Sequence, residues 1–492
     1  MLALNNKVNY LKKSLAAELL KLFFDDELHE KINMIPIERV PKFSQPIDCC
    51  IFKDRAMIRN KIMALLGINI EEEEDETKDL SFFLEKALNR KSVDCPVLTV
   101  IDIACHSCEK EEYYVTDLCQ GCSARPCESN CPIGAIKVIN GRAVIDQTKC
   151  VKCGRCKDMC PYNAIVYKPV PCESNCPVDA ISRDPDTGKA KIDYDKCIYC
   201  GKCTKSCPFG AIMDRSQIID VAKNLKNGKN VIALVAPSIV GQFPGTILQT
   251  LSALKKIGFS KVYEVAYGAD LTAKNEAEEL IEKVGSGNQS MLCNSCCPAW
   301  VETAKKHVPE LLKFVSNTPT PMAFTARMAK KDEPSSITVF IGPCISKKFE
   351  AIHNSDVDYV LTFEELGAFF MANGIEISEL PENEFDSPFS TTAGRKFPIS
   401  GGVTEAVEYY VNEINNDNSL KVRALKVDGL NKKNISMLKR IVKNENNFNF
   451  LEVMACENGC VGGPGVISNP KLTREKIKTY STSKLKNEEM NY

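Results

Sequence analysis

Between Cys105 and Cys207 the chain carries sixteen of its 25 cysteines, and their spacing leaves little freedom in what this stretch can become. Four form the run Cys150-x2-Cys153-x2-Cys156-x3-Cys160-Pro161, and four more form Cys197-x2-Cys200-x2-Cys203-x3-Cys207-Pro208. In such a run a tight loop aims three thiolates at three irons of one cubane, and the cysteine before proline reaches the other cluster of a pair. Cys119-x2-Cys122-x4-Cys127-x3-Cys131-Pro132 is a looser version, Cys172-x3-Cys176-Pro177 is half a run, and Cys105-x2-Cys108 adds two thiols. Sixteen thiolates match four [4Fe-4S] clusters. The alternative is a zinc site on Cys105, Cys108, Cys119 and Cys122, leaving three clusters. Which cluster Cys172 and Cys176 complete stays open at this level.

The comb is an internal repeat. PCESNCPIGAI precedes one full run and PCESNCPVDAI precedes the other, with AVID and AKID leading into the cysteines. A disulfide framework would require an export signal. The first residues, Met1 to Lys21, instead alternate charged and apolar positions, so a cytoplasmic location is expected. Net charge is −1, from 63 basic and 64 acidic residues, which excludes the basic footprint of a dedicated nucleic-acid binder. No apolar run is long enough to span a bilayer, so no membrane partner is expected.

Cysteine density divides the chain in three. Residues 1–94 contain only Cys49 and Cys50, read as structural buried thiols, and begin with Val8, Leu11, Leu15, Leu19, Leu22 and Phe23 at helical spacing. This part is expected to be a small helical domain, with the acidic run Glu71–Glu76 in a solvated loop or helix start. Residues 95–217 are expected to form an α+β ferredoxin-like domain with multiple clusters. Residues 218–492 have α/β periodicity: VIALVAPS (231–238), SSITVFIGPC (335–344) and FNFLEVMAC (448–456) read as buried parallel strands. Their carboxyl ends, where open α/β sheets bind ligands, carry Ala236-Pro237-Ser238, Cys344 and Cys456.

Three longer motifs sit at these ends and helix starts: Asn294-Ser295-Cys296-Cys297-Pro298-Ala299-Trp300, Gly342-Pro343-Cys344-Ile345-Ser346-Lys347-Lys348-Phe349-Glu350, and Glu452-Val453-Met454-Ala455-Cys456-Glu457-Asn458-Gly459-Cys460-Val461-Gly462-Gly463. Here the sequence resembles the [FeFe] hydrogenases, with signatures TSCCPxW, MPCxxKxxE and ExMACxxGCxxGG, and is similar to their divergent group B branch. The resemblance spans about residues 231–467. It implies two parallel-sheet lobes enclosing an H-cluster, a [4Fe-4S] cubane joined to a diiron subsite with CO, cyanide and azadithiolate. Cys297, Cys344, Cys456 and Cys460 would ligate the cubane, with Cys460 bridging to the diiron subsite. Lys347, Ser238 and the backbone at Ala236 and Pro237 would hold the cyanides, and Met454 and Phe397 would line the pocket. A proton path would run Lys283, Glu279, Ser316, Glu276, Cys296, with Cys296 as the thiol relay. Glu276, Glu279 and Lys283 share one helix face by spacing alone.

The activity so implied is reversible reduction of protons to H2, fed with electrons by ferredoxin or a similar carrier through the comb, after loading by hydrogenase maturation proteins. Several positions depart from the family pattern. Gly342 stands where methionine is common, Met322 replaces a glutamine, Lys283 replaces the usual arginine, Pro464 interrupts the last glycines, and Cys293 adds a thiol. These bear on rate, bias and oxygen tolerance. Competing readings are a hydrogen sensor, a non-catalytic iron–sulfur homologue of the assembly type, and a plain polyferredoxin.

Overall fold

The computed structural model describes residues 6–47, 49–415, 420–442 and 447–482. Asn6 starts the first helix, α1 (Lys7–Phe24), its side chain accepting a hydrogen bond from the Asn9 N–H. The apolar stripe of α1 is buried, but not within a core private to residues 1–94. Leu15, Leu19, Ile62 and Phe83 belong to the same apolar core as Val231, Val339 and Phe369, and the Phe24 and Phe369 rings meet edge-on at 6.4 Å. The first segment is helical as expected, yet its helices complete their burial on the α/β part. Two smaller readings are corrected. Cys49 is exposed and Cys50 half-buried, their sulfurs 3.7 Å apart, because they precede the helix Ile51–Leu65 rather than point into it. Glu71 is not simply solvated: it accepts from the Tyr194 hydroxyl at 2.6 Å and the Val100 N–H at 3.3 Å, pinning the acidic run to the cysteine-rich part.

The cysteine-rich part consists of two nested units. An outer ribbon pairs Leu98–Val100 with Ile212–Asp214, and an inner ribbon pairs Glu112–Val115 with Ile165–Lys168. Each unit also holds a hairpin, Ile181–Arg183 with Ala190–Ile192 in the outer and Ile136–Ile139 with Arg142–Ile145 in the inner.

From Val231 the expected strands appear where the apolar runs fall. The ones used below are β1 (Val231–Val235), β2 (Lys261–Glu264), β3 (Leu292–Cys293), β4 (Ile337–Gly342), β5 (Tyr359–Thr362), β6 (Ala424–Asp428) and β7 (Phe450–Met454). The order β2-β1-β4-β5 makes one parallel sheet and β3-β7-β6 a second. Among the connecting helices, α2 (Val265–Leu280), α3 (Pro298–His307), α4 (Ser346–Ile352) and α5 (Phe363–Ala372) matter for the site. Among the described residues no helix is long and apolar enough to cross a membrane.

A buried charge network fastens the parts together. Lys348 on α4 lies 2.7 Å from Asp214, at the end of the outer ribbon, and 2.7 Å from Glu365 on α5, while Lys12 of α1 reaches Asp214 at 2.7 Å. Removing one member of such a set strands the others without water, at a typical cost of about 3–5 kcal/mol. Lys348→Met should therefore lower the thermal unfolding midpoint by several degrees. Lys348→Met combined with Glu365→Gln should recover part of the loss. Equal midpoints for Lys348→Met and the parent would mean the network contributes nothing to joining these segments.

Candidate metal centres and catalytic pocket

The comb has a recurring local geometry that its uneven spacing conceals. In the first Cys-x2-Cys loop of each run the residue before the second cysteine has positive φ: Ser107 at 47°, Gly121 at 56°, Lys152 at 57° and Tyr199 at 55°. Three of these carry a Cβ, for which this region is disfavoured and persists only where the surroundings impose it. In each Cys-Pro-x-x-Ala segment the alanine N–H donates back to the cysteine sulfur: Ala135 to Cys131 at 3.2 Å, Ala164 to Cys160 at 3.4 Å, Ala180 to Cys176 at 3.2 Å and Ala211 to Cys207 at 3.4 Å. Four loops and four prolyl cysteines thus share one construction, including the irregular ones.

Their packing groups the thiols in fours. Cys176 joins Cys197, Cys200 and Cys203 around one small hollow, and Cys131 joins Cys150, Cys153 and Cys156 around another. Cys108 neighbours Cys105 and Cys207, and Cys172 neighbours Cys207 and Cys108. Cys127 neighbours Cys160 and Cys122, with Cys119 in the same apolar cluster. The zinc alternative required Cys105, Cys108, Cys119 and Cys122 together. The structure separates them into an outer and an inner pair.

The catalytic candidates gather at the carboxyl ends of both sheets, as strand order leads one to expect. Cys344 follows β4, Cys456 follows β7, Cys460 opens the next short turn, and Cys297 is the residue before α3. They line a single apolar cavity with Ala236, Pro237, Ser238, Cys296, Lys347, Phe397 and Met454. Cys200 of the comb lines the same cavity, so the nearest cysteine group of the outer unit adjoins these four thiols. Burial, then the neighbouring thiols, push Cys344 and Cys460 up to about 12. Crowded thiols lining an apolar cavity release their protons to a bound cation, and an iron–sulfur cubane fits that donor set.

The polar fittings of the cavity are few and specific. Among the described residues the hydroxyls of Ser238 and Ser346, buried there, have no hydrogen-bond partner, an unusual condition that a bound acceptor would relieve. Burial works against the charge of Lys347, but its pair with Glu350 at 2.6 Å prevails and holds the ammonium above the ordinary lysine range. Ser346 and Glu350 were quoted in the second motif without a role. Their signal lies in the i, i+3 spacing of Lys347 and Glu350 on α4. The departures also acquire a structural reason. A Cβ on Gly342 would come within 2.5 Å of the Phe340 ring, so the aromatic fills the room a larger residue would occupy, and Met322 sits fully buried at the cavity wall. Cys293 is buried in the core beside β7, and it is not among the residues lining the cavity.

The inferred proton path is partly assembled. Glu279 accepts from Lys283 and from the Ser316 hydroxyl. Glu276 is fully buried, and its Oε1 accepts from the Ser295 N–H at 2.8 Å and the Ser295 hydroxyl at 3.1 Å. Between the two glutamates the structure offers Ser295 and Thr318, which the sequence reading did not single out. The Ser295 hydroxyl also reaches the Thr318 carbonyl at 2.7 Å, and the Thr318 hydroxyl lies 3.4 Å from Glu279. Cys296 accepts from the Asn294 amide at 3.2 Å, and burial, with the nearby Glu276, keeps its thiol protonated.

With this geometry in view the comparisons are decisive. The family described as the iron only hydrogenase large subunit, C-terminal domain, matches residues 229–464, and 4Fe-4S binding domains match residues 143–166 and 190–213. Iron hydrogenase 1 of Clostridium pasteurianum is 31% identical over 401 residues, spanning 70% of this chain and 68% of that protein. The chain belongs to the iron-only hydrogenase family. Within it the NADP-reducing hydrogenase subunit HndD of Solidesulfovibrio fructosivorans is 29% identical over 51% of this chain and 53% of its own length. The cytosolic Fe-S cluster assembly factor NAR1 of Meyerozyma guilliermondii is also similar, 31% identical over 23% of this chain and 24% of its own. A solved [FeFe]-hydrogenase, HydA1 from Chlamydomonas reinhardtii, covers 52% of this chain and 84% of its own at 24% identity, with a TM-score of 0.43.

Burial raises Glu276 from 4.5 to about 8. The folded chain therefore keeps a proton that the unfolded chain releases, and this carboxyl's contribution to stability falls as pH rises between those values. Glu276→Gln keeps the neutral shape and removes the slope. Its thermal midpoint should gain on the parent as pH is raised from about 5 to about 8. A difference independent of pH would show that Glu276 is ionised throughout.

Proposed function

We propose that the chain is a ferredoxin-linked [FeFe] hydrogenase, interconverting two protons and two electrons with H2. The observation that carries this is the meeting, in one apolar cavity, of four mutually close, half-buried thiols with a fifth, buried thiol, a buried lysine and two hydroxyls without a hydrogen-bond partner among the described residues. Cys297, Cys344, Cys456 and Cys460 hold the H-cluster cubane. The sixteen comb cysteines hold four further [4Fe-4S] clusters in the groups described above. When bound, the H-cluster supplies soft, low-valent iron with an open position for hydrogen. Everything else falls to the protein. Phe340, Met322, Phe397 and Met454 keep the cavity dry, and Lys347, Ser238 and Ser346 supply the donors that anionic cyanides require.

Protons reach the cavity along a line of polar side chains. Lys283, Glu279 and Ser316 form the outer segment, with the Thr318 hydroxyl beside Glu279, and Glu276, hydrogen-bonded to Ser295, forms the inner end with Cys296. A buried glutamate that is protonated around pH 7 both accepts from the outer segment and donates inward. The division into residues 1–94, 95–217 and 218–492, a cytoplasmic and anaerobic setting, and loading by maturation proteins belong to the same proposal.

The similarity to NAR1 favours a second reading, in which the cubanes are present but no diiron subsite is loaded. Infrared spectra separate the two, because CO and cyanide stretches have no other source in a protein. Matured protein should display them, and iron and sulfide in protein lacking the diiron subsite should approach five cubanes per chain. Absence of the stretches after maturation would support the non-catalytic reading. Cys296→Ala should keep the stretches and lose most H2 turnover, ~10²–10⁴-fold for removal of a general acid–base group. Loss of the stretches in that variant would mean that Cys296 is a ligand, and unchanged turnover would remove it from the proton path.

A further inference from the structure

Lys61, on the helix Ile51–Leu65 of the first segment, is 5% exposed, and its ammonium donates to the Gly210 carbonyl at 2.8 Å. A lysine so deeply buried ordinarily has a carboxylate beside it, because a lone charge out of water is expensive. Two lysines that line the same small hollow obey this rule. Lys12 lies 2.7 Å from Asp214 and 3.4 Å from Glu364, and Lys205 lies 3.9 Å from Glu364. Lys61 has no acidic partner among the described residues. Burial pushes it down to about 8, Cys207 is the neighbour that draws it back up, and Lys12 adds to the push down.

Gly210 turns the loop Cys207-Pro208-Phe209-Gly210-Ala211, whose alanine N–H donates to the Cys207 sulfur. Other copies of this loop give an internal comparison. A Cβ on Gly134, in the Cys131 loop, would meet nothing within 4 Å. One on Gly210 would meet Val8 of α1 at 2.5 Å and the Lys61 ammonium at 2.9 Å. In the Cys176 loop Asp179 takes the glycine's place and pairs with Lys432 at 2.5 Å, both side chains exposed, so that cation is neutralised on the spot. Of these three loops only that of Cys207 receives a buried ammonium with no carboxylate. Cys105 and Cys207 share an apolar core with Ile58 and Ile62, which flank Lys61 in the sequence, so little water screens the charge from these thiols.

We propose that Lys61 is the counter-charge of the cluster held by Cys105, Cys108, Cys172 and Cys207, and that it holds this cluster's reduction potential up. The proposal rests on the four-cluster reading of the comb and not on H2 chemistry. Four thiolates leave a cubane site negative, and each added electron deepens that charge. A fixed ammonium nearby therefore favours the reduced cluster over the oxidised one, net charge and hydrogen bonding being among the levers that set such potentials. In the step concerned this cluster gains one electron, a neighbouring cluster of the comb loses one, and Lys61 keeps its proton. The first segment thus contributes a charge to the electron path, although it contributes no ligand.

The test uses the full chain with its cubanes and without the diiron subsite, titrated potentiometrically at pH 7 and followed by electron paramagnetic resonance. Lys61→Gln keeps a donor for the Gly210 carbonyl and removes the charge. One titrating component should become harder to reduce, by about tenfold in its one-electron equilibrium, ~59 mV. The component that moves should be the one altered by Cys108→Ser, and iron content should stay at the parental value. Lys61→Arg, which keeps the charge, should stay within a third of the shift seen in Lys61→Gln. An unmoved potential in Lys61→Gln with full iron would overturn the proposal. So would an equal drop in Lys61→Arg, which would make shape rather than charge the cause, or loss of one cubane in Lys61→Gln, which would make Lys61 a structural anchor. Failure of the four-cluster reading would look different, with one cubane fewer already in the parent chain.

Discussion

Buried thiols packed against one another are a liability until a cation arrives, and the fold is organised around that condition. Cys344 and Cys456 sit where parallel strands run out, Cys297 where a helix begins, and Cys460 in the turn beyond. Neither sheet could bring them together alone, since Cys344 belongs to the larger sheet and Cys297 and Cys456 to the smaller. The cavity is therefore a property of the junction. Its apolar lining makes the few polar groups count, because an unsatisfied hydroxyl or ammonium there has no water to fall back on.

The same logic explains why the polar exceptions are tethered from behind. Lys347 is braced by Glu350, which also accepts from Thr320, and Lys348 next to it is turned away into the network with Asp214 and Glu365. Adjacent lysines thus serve opposite faces of α4, one toward the chemistry and one toward the seam with the comb. Glu276 is likewise anchored by Ser295, immediately ahead of the two thiols.

Much of this was legible in the residues. β1, β4 and β7 lie inside the apolar runs read as strands, and every catalytic cysteine named from the motifs lines the cavity. The partners of Cys105, Cys108, Cys172 and Cys176 were not legible, because spacing encodes a loop and pairing is a tertiary matter. Ser295 and Thr318 escaped notice for a related reason. A hydroxyl is common, and only its position between two glutamates distinguishes it. In the first segment helical periodicity reveals that a stripe is buried without saying against what, and the structure packs it on the α/β part. The room taken by Phe340 could not be inferred from Gly342 alone, since the Phe340 ring covers the space beside Gly342 from two residues away on the same strand.

The nesting of the two ribbons has a consequence for how such a chain is built up. Glu112 and Lys168 face one another in the inner ribbon, so the segment enters and leaves its unit at the same spot. The outer group of Cys105, Cys108, Cys172 and Cys207 closes across that doorway and takes no ligand from inside it. The inner unit is in that sense a cartridge. A change confined to it leaves the contacts among the outer cysteines in place.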